Sequence, residues 1–194
     1  MTRAVHLKLA AHPANPARFH QNVEATLTHG GDGSLQVGYA VRGLNLDLRV
    51  PTPHAPAPAG ALWKTTCCEI FLGAVGQAAY REFNFSTSGQ WAVYEFADTR
   101  QPAPQPFDCP APLLGCERSE DLLILTATLP QRALPDWQDR SETLRIALAV
   151  ILEANDGRLG YWALAHAPGK PDFHHHAGFL LSLGSAGFRP GHWP

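Results

Sequence analysis

Between residues 144 and 154 the chain reads LRIALAVILEA, with large apolar side chains at every second position: Leu144, Ile146, Leu148, Val150 and Leu152. That period belongs to a strand, whose successive side chains point to opposite faces. The intervening positions are mostly small or apolar as well, which suits a central strand covered on both sides. NDG at 155 to 157 follows directly and LGYWALAH comes after it, a strong hairpin signal.

The same period recurs along the chain. SLQVGYAV places Leu35, Val37, Tyr39 and Val41 on one face, and LNLDLRV places Leu44, Leu46, Leu48 and Val50 on one face. The change of parity at Arg42 and Gly43 predicts a bulge or tight turn. VEATLTH, CCEIFLG, AYREFNFS, QWAVYEF and DLLILTATL continue the pattern, with GGDG and TSGQ as turns. PQRALPDWQ alone resembles a turn or two of helix. VPTPHAPAPAG and RQPAPQPFDCPAP are too rich in proline to pair as central strands and read as surface loops. About ten short strands and at most one short helix predict an all-β fold: a two-sheet antiparallel β-sandwich of jelly-roll or immunoglobulin-like type. Residues 1–194 read as a single domain, long enough to bury about 70% of the surface its unfolded chain exposes.

Fifteen basic and seventeen acidic residues, a formal charge of −2, leave no basic stripe for nucleic acid. No stretch approaches the roughly 20 apolar residues of a membrane helix. The first twenty residues lack a signal-type apolar run, so a cytoplasmic location is expected. In that compartment Cys67, Cys68, Cys109 and Cys116 are expected as free thiols. Neighbours in a strand, Cys67 and Cys68 point to opposite faces and cannot act together on one ligand.

The polar residues on the apolar strands are the candidates for chemistry. Tyr80, Glu82 and Asn84 share one face, with Arg81, Phe83 and Phe85 on the other; beyond TSGQ, Trp91, Val93 and Glu95 alternate with Ala92, Tyr94 and Phe96. Buried charges are costly unless paired, so these groups are expected to meet one another or a ligand. Glu69, Glu82 and Glu95 could supply the two carboxylates of a glycosidase, which needs them about 5 to 10 Å apart across a cleft. The triple histidine 174 to 176, if extended, puts His174 and His176 on one side and His175 on the other, so at most two could hold one metal. Asp32, Asp98, Asp156 and Asp172 lie in turns without EF-hand spacing, so calcium has no support in the sequence.

The segments LWKTTCCEIFLG, YREFNFSTSGQWAVYEFADTR and YWALAHAPGKPDFHHHAGFLLSL together resemble the DOMON-like, family 9 carbohydrate-binding-module superfamily, in its small stand-alone bacterial branch. The resemblance runs from about Leu62 to Leu183, with a looser echo in LAAHPANPA. It rests on W-x5-E-x-F, Y-R-E-F-N-F-S and K-P-D-F-H. It implies a β-sandwich that clamps a terminal sugar between aromatic rings and anchors its hydroxyls with carboxylate, arginine and amide groups. On that pattern Trp63, Glu69, Arg81 and Asn84 occupy matching positions, with Phe173 and Trp162 as alternatives for the second ring. Asp172, His174 and His175 complete the candidate site from the loop. Aromatic faces suit the C–H face of a pyranose, and charged hydrogen bonds orient its hydroxyls. Other branches bind haem through methionine. The only methionine here is Met1 and no CxxCH motif exists, so no cofactor is expected. The resulting expectation is a non-catalytic saccharide-binding module. The alternatives are a structural or partner-binding sandwich without sugar affinity, and a small glycoside or ester hydrolase.

Overall fold

The computed structural model describes residues 3–16, 19–43, 48–52, 55, 57–105, 107–135 and 143–191. Fifteen strands are formed among them. In the first half of the chain these are β1 (Arg3–Ala11), β2 (Asn22–His29), β3 (Leu35–Arg42), β4 (Leu48–Arg49), β5 (Ala57–Pro58), β6 (Cys67–Ala74), β7 (Tyr80–Ser86) and β8 (Gln90–Asp98). The second half contributes β9 (Gln101–Pro102), β10 (Leu113–Arg118), β11 (Leu122–Leu129), β12 (Leu144–Ala154), β13 (Leu159–Ala163), β14 (Leu181–Gly184) and β15 (Gly187–Pro190). Among the described residues helix is confined to single 3-10 turns at Leu62–Lys64, Gln131–Ala133 and His176–Gly178, and positions 136–138 of the PQRALPDWQ stretch lie outside the described residues.

The turns form where the sequence places them, and glycine supplies the left-handed backbone there. Gly33 (φ 80°) closes the β2–β3 hairpin, and Gly157 (φ 82°) closes β12–β13 while donating to the Ala154 carbonyl at 2.8 Å. Gly43 also has positive φ, at the predicted change of parity. Residues 44–47, the first part of the strand expected there, lie outside the described residues.

Strand order runs β10-β11-β3-β2-β1-β13-β12-β6-β7-β8-β5, with β14 and β4 also pairing with β12. This differs in two ways from about ten strands in two antiparallel sheets. The path is continuous and curled, because β1 pairs with β2 along most of its length and with β13 at its end, Ala10 opposite Ala163. The sheet is also mixed, since β5 runs parallel to β8. The strands beyond those expected include the nine-residue β1, paired on both sides, and the six-residue β10, besides β5 and β9, two-residue pieces inside the proline-rich stretches, where a residue lacking an N–H can join a sheet only at its rim.

The curl brings two halves face to face. Leu35, Val37, Tyr39 and Val41 of β3 and Leu123 and Leu125 of β11 pack in one cluster with Cys68, Ile70 and Leu72 of β6, Phe83 and Phe85 of β7 and the alternate residues of β12. β12 is buried on both faces, as its composition predicts, and is the hub of its half through pairs with β6, β13, β14 and β4. The N-terminal LAAHPANPA segment docks on β13, where the Asn15 side chain both donates to the Tyr161 carbonyl (3.0 Å) and accepts from the Tyr161 N–H (2.9 Å).

Candidate functional site

The face of β6, β7 and β8 turned away from the main core is where chemistry collects. Strand parity selects its members: Cys67, Glu69 and Phe71 from β6, Tyr80, Glu82, Asn84 and Ser86 from β7, and Ala92, Tyr94 and Phe96 from β8. Register sets the neighbours. Glu69 lies opposite Asn84, and Glu82 opposite Tyr94. Glu69 and Glu82 are therefore diagonal neighbours on adjacent strands, a relation that sets two residues about 7 to 8 Å apart across the sheet.

All three polar side chains of this row are buried, with exposures of 2% for Glu69, 5% for Glu82 and 0% for Asn84. The Asn84 amide donates to Glu82 Oε1 at 2.7 Å, and its own Oδ1 accepts no hydrogen bond. Burial pushes the Glu69 carboxyl well above the usual carboxylate range, and the adjacent Glu82 charge pushes it further. Glu82 is raised by burial too, with the Asn84 hydrogen bond and Arg100 pulling the other way.

Two aromatic groups flank the row. On one side Leu62, Cys67, Ala92 and Tyr94 form a small cluster beneath the 3-10 turn that carries Trp63. The Trp63 ring stands edge-on to Tyr94 with centroids 5.4 Å apart and is 40% exposed, an uncommon exposure for so large an apolar group. On the other side Phe71, Tyr80 and Phe179 pack with Phe96 and Phe173. His174 enters this second cluster, its Nδ1 2.7 Å from the Tyr80 hydroxyl and its Nε2 3.5 Å from Glu82 Oε2. Burial, aided by Arg100, holds the His174 imidazole down to about 4, so the ring is neutral near pH 7. Asp172 fixes the loop by accepting from the His174 N–H (3.1 Å) and pairing with Arg100 (2.7 Å).

The structure thus brings Trp63, Glu69, Asn84 and His174 to one sheet face, with Asp172 and Phe173 beside them on the covering loop. It does not bring Arg81, Trp162 or His175 there. Arg81 points to the opposite face of β7, where it pairs with Glu95 at 2.8 Å, donates to the carbonyls of Ala133 and Leu134 and stacks on the Phe107 ring at 3.6 Å. Trp162 is 1% exposed and packs on Phe19 inside the core. His175 stacks on His176 with centroids 4.2 Å apart, because the 3-10 turn starting at His176 ends the extended alternation. No group of three or more His, Cys, Asp or Glu suited to a metal ion occurs among the described residues. The saccharide-site candidates omit Glu82, Tyr80 and Tyr94, although the sequence places all three on the polar β7–β8 hairpin. Their parity with Asn84, and the short TSGQ turn that sets the β7–β8 register, are the signals that find them.

Two open grooves lie elsewhere. One of about 540 Å³ is lined by His6, Lys8, Glu24, Thr26, Gln36 and Thr126 on the outer side of β1 to β3 and β11. The other, of about 570 Å³, lies between the Ser86 to Gly89 turn and β10. Neither includes the buried carboxylates, and neither presents an exposed aromatic face.

The backbone as a whole can be compared with known structures. A candidate carbohydrate-binding protein from Bacteroides uniformis superposes with a TM-score of 0.62 at 15% identity, over 90% of this chain and 84% of that one. A family 9 carbohydrate-binding module from Caldicellulosiruptor kristjanssonii, in complex with glucose, gives 0.53 at 12% identity over 83% and 76%. The module in complex with cellotriose gives 0.51 at 12% identity over 84% and 75%. The fold is similar to that of a family 9 carbohydrate-binding module. At these identities the likeness concerns the fold alone. The sequence matches no family model and no curated protein.

Proposed function

We propose that this chain is a non-catalytic saccharide-binding module of the DOMON-like, family 9-like superfamily, with a single domain over residues 1–194 and a cytoplasmic location. The observation that carries the reading is the exposed Trp63 ring standing against Tyr94 at the edge of a buried row of Glu69, Glu82 and Asn84. An aromatic face beside carboxylate and amide groups is the combination that grips a pyranose, the ring taking the C–H face and the polar groups the hydroxyls. The fold likeness to glucose- and cellotriose-bound modules is in keeping with it.

Hydrolysis fits less well. A glycosidase must place a scissile bond between its carboxylates, and Glu69 and Glu82 are closed over on a covered sheet face rather than set across a cleft. Titration calorimetry with glucose and cello-oligosaccharides on the wild type and Trp63→Ala tests the proposal. Heat of binding in the wild type that disappears in the folded variant supports it. Absence of binding by any saccharide on a glycan panel would leave the partner-binding alternative. Turnover of aryl glycosides lost in Glu69→Gln or Glu82→Gln would replace it with an enzyme.

A further inference from the structure

The sheet path ends on β10, and it ends there differently from its other tips. β4, β5 and β9 are two residues long, and β15 carries Pro190. Short strands and proline are ordinary ways of blunting a sheet edge. β10 has six residues, LLGCER, and no proline. It pairs with β11 residue for residue, from Leu113 opposite Thr128 to Arg118 opposite Leu123, and among the described residues nothing pairs with its other side. All of its residues except Leu114 are exposed. It therefore presents a row of free N–H and C=O groups about 20 Å long.

This edge borders the groove of about 570 Å³ between β10 and the Ser86 to Gly89 turn. Leu114, Cys116 and Arg118 stand opposite the buried Ala127, Leu125 and Leu123, so they share the core-side face and line the groove. Among the described residues that line it, Arg118 carries the charge and none is acidic, and Arg118 makes no ion pair with a described residue. A chain added to the edge would place every second side chain in the groove, which calls for an acidic residue over Arg118 and apolar ones over Cys116 and Leu114. A second copy of β10 does not meet that pattern. Two-fold antiparallel pairing keeps the two faces of a sheet, so the copy would again turn Leu114, Cys116 and Arg118 to the groove side and its Glu117 to the other. Arg118 would then meet no carboxylate.

We propose that the open edge of β10 takes up an extended acidic peptide by strand addition, antiparallel to β10, with a carboxylate side chain on Arg118. The probe is acetyl-Ser-Glu-Thr-Val-Thr-Val-Ser-amide, whose Glu and two Val residues fall opposite Arg118, Cys116 and Leu114. Titration calorimetry of the full chain at low ionic strength measures its affinity, and amide hydrogen exchange locates it. The expected result is binding that slows exchange within residues 113–118, and affinity about fivefold or more weaker when Lys replaces the Glu of the probe. Arg118→Glu should reverse that preference. Absence of binding overturns the inference, as does equal affinity for the two peptides or binding that leaves exchange in β10 unchanged. Concentration-dependent dimers in sedimentation, with β10 protected in the absence of peptide, would give the edge to a second copy and overturn it too. Should Arg118→Glu fail to fold, the comparison of the Glu and Lys peptides on the wild type decides. None of these outcomes depends on saccharide binding, so the two readings stand or fall separately.

Discussion

The Tyr39 hydroxyl donates a hydrogen bond across the core to the Glu69 carbonyl oxygen at 2.6 Å. Tyr39 belongs to β3 and is 1% exposed, so this bond both satisfies a buried hydroxyl and ties the two halves of the curled sheet at the residue whose side chain enters the candidate site. Tyr39→Phe removes the donor and keeps the packing. It is expected to lower unfolding free energy by about 1 to 1.5 kcal/mol, read from the shift of the urea midpoint at unchanged slope.

The two candidate tryptophans should differ in how much stability their truncation costs. Trp162→Ala empties a core position and is expected to cost about 3 to 5 kcal/mol. Trp63→Ala removes a ring that is 40% exposed, and the expected cost is about 1 kcal/mol, with loss of saccharide binding. Thermal denaturation beside calorimetry separates the two. A loss of stability in Trp63→Ala as large as that in Trp162→Ala would make the indole a packing residue.

The carboxylates and His174 give opposite slopes to stability against pH. Glu69 and Glu82 have raised values in the fold, so the native state holds more protons than the unfolded chain once pH exceeds the ordinary glutamate value of about 4.3, and stability falls as pH rises from there. His174, held down to about 4, binds its proton less well folded than unfolded, so its contribution rises with pH from about 4 to about 6.5. Glu69→Gln should therefore flatten the decline toward neutral pH and stabilise the protein at pH 7. His174→Gln should remove the rise on the acid side. Denaturant melts of each variant at half-unit pH steps measure both, and an unchanged profile in Glu69→Gln would mean that its carboxyl is solvated.

Arg81 is expected to act on stability and not on ligand. Its guanidinium joins Glu95, two carbonyls of the 130s segment and the Phe107 face, a planar set that lysine cannot reproduce. Arg81→Ala should cost about 2 to 4 kcal/mol, somewhat less than a fully buried pair because Glu95 is partly exposed. Arg81→Lys should recover only part of that, while saccharide affinity measured on the folded variant stays at the wild-type level.

Much of this arrangement was legible in the order of residues, and the exceptions have physical causes. Alternation placed β12 at the centre of its half, and glycine chemistry placed the hairpins at Gly33 and Gly157. Parity alone also separates Arg81 from Glu82 and Asn84. Arg81 and Trp162 stand among the candidates through the family resemblance, which matches positions along the chain without regard to face. Tyr94 could not be placed beside Glu82 without the β7–β8 register, a relation between strands rather than within one. β10 carries LLGCER, which has no period of two, and pairs because β11 offers it an edge. The stacking of His175 on His176 depends on a 3-10 turn that no alternation rule anticipates.

The closure of the sheet through β1 has a consequence for synthesis. Ala10 and Ala11 find their partners at Ala163 and Trp162, about 150 residues further along the chain. The β1–β2–β3 meander can form once β3 leaves the ribosome, whereas at about 5 to 20 residues per second the strand that covers its flank, about 120 residues beyond Arg42, arrives roughly 6 to 24 s later. During that interval the meander offers an open strand edge and the apolar row Val23, Ala25 and Leu27 to any passing chain. Glu24 and Lys8, facing each other on the outer side of the same two strands, put charge on the opposite surface of that waiting meander.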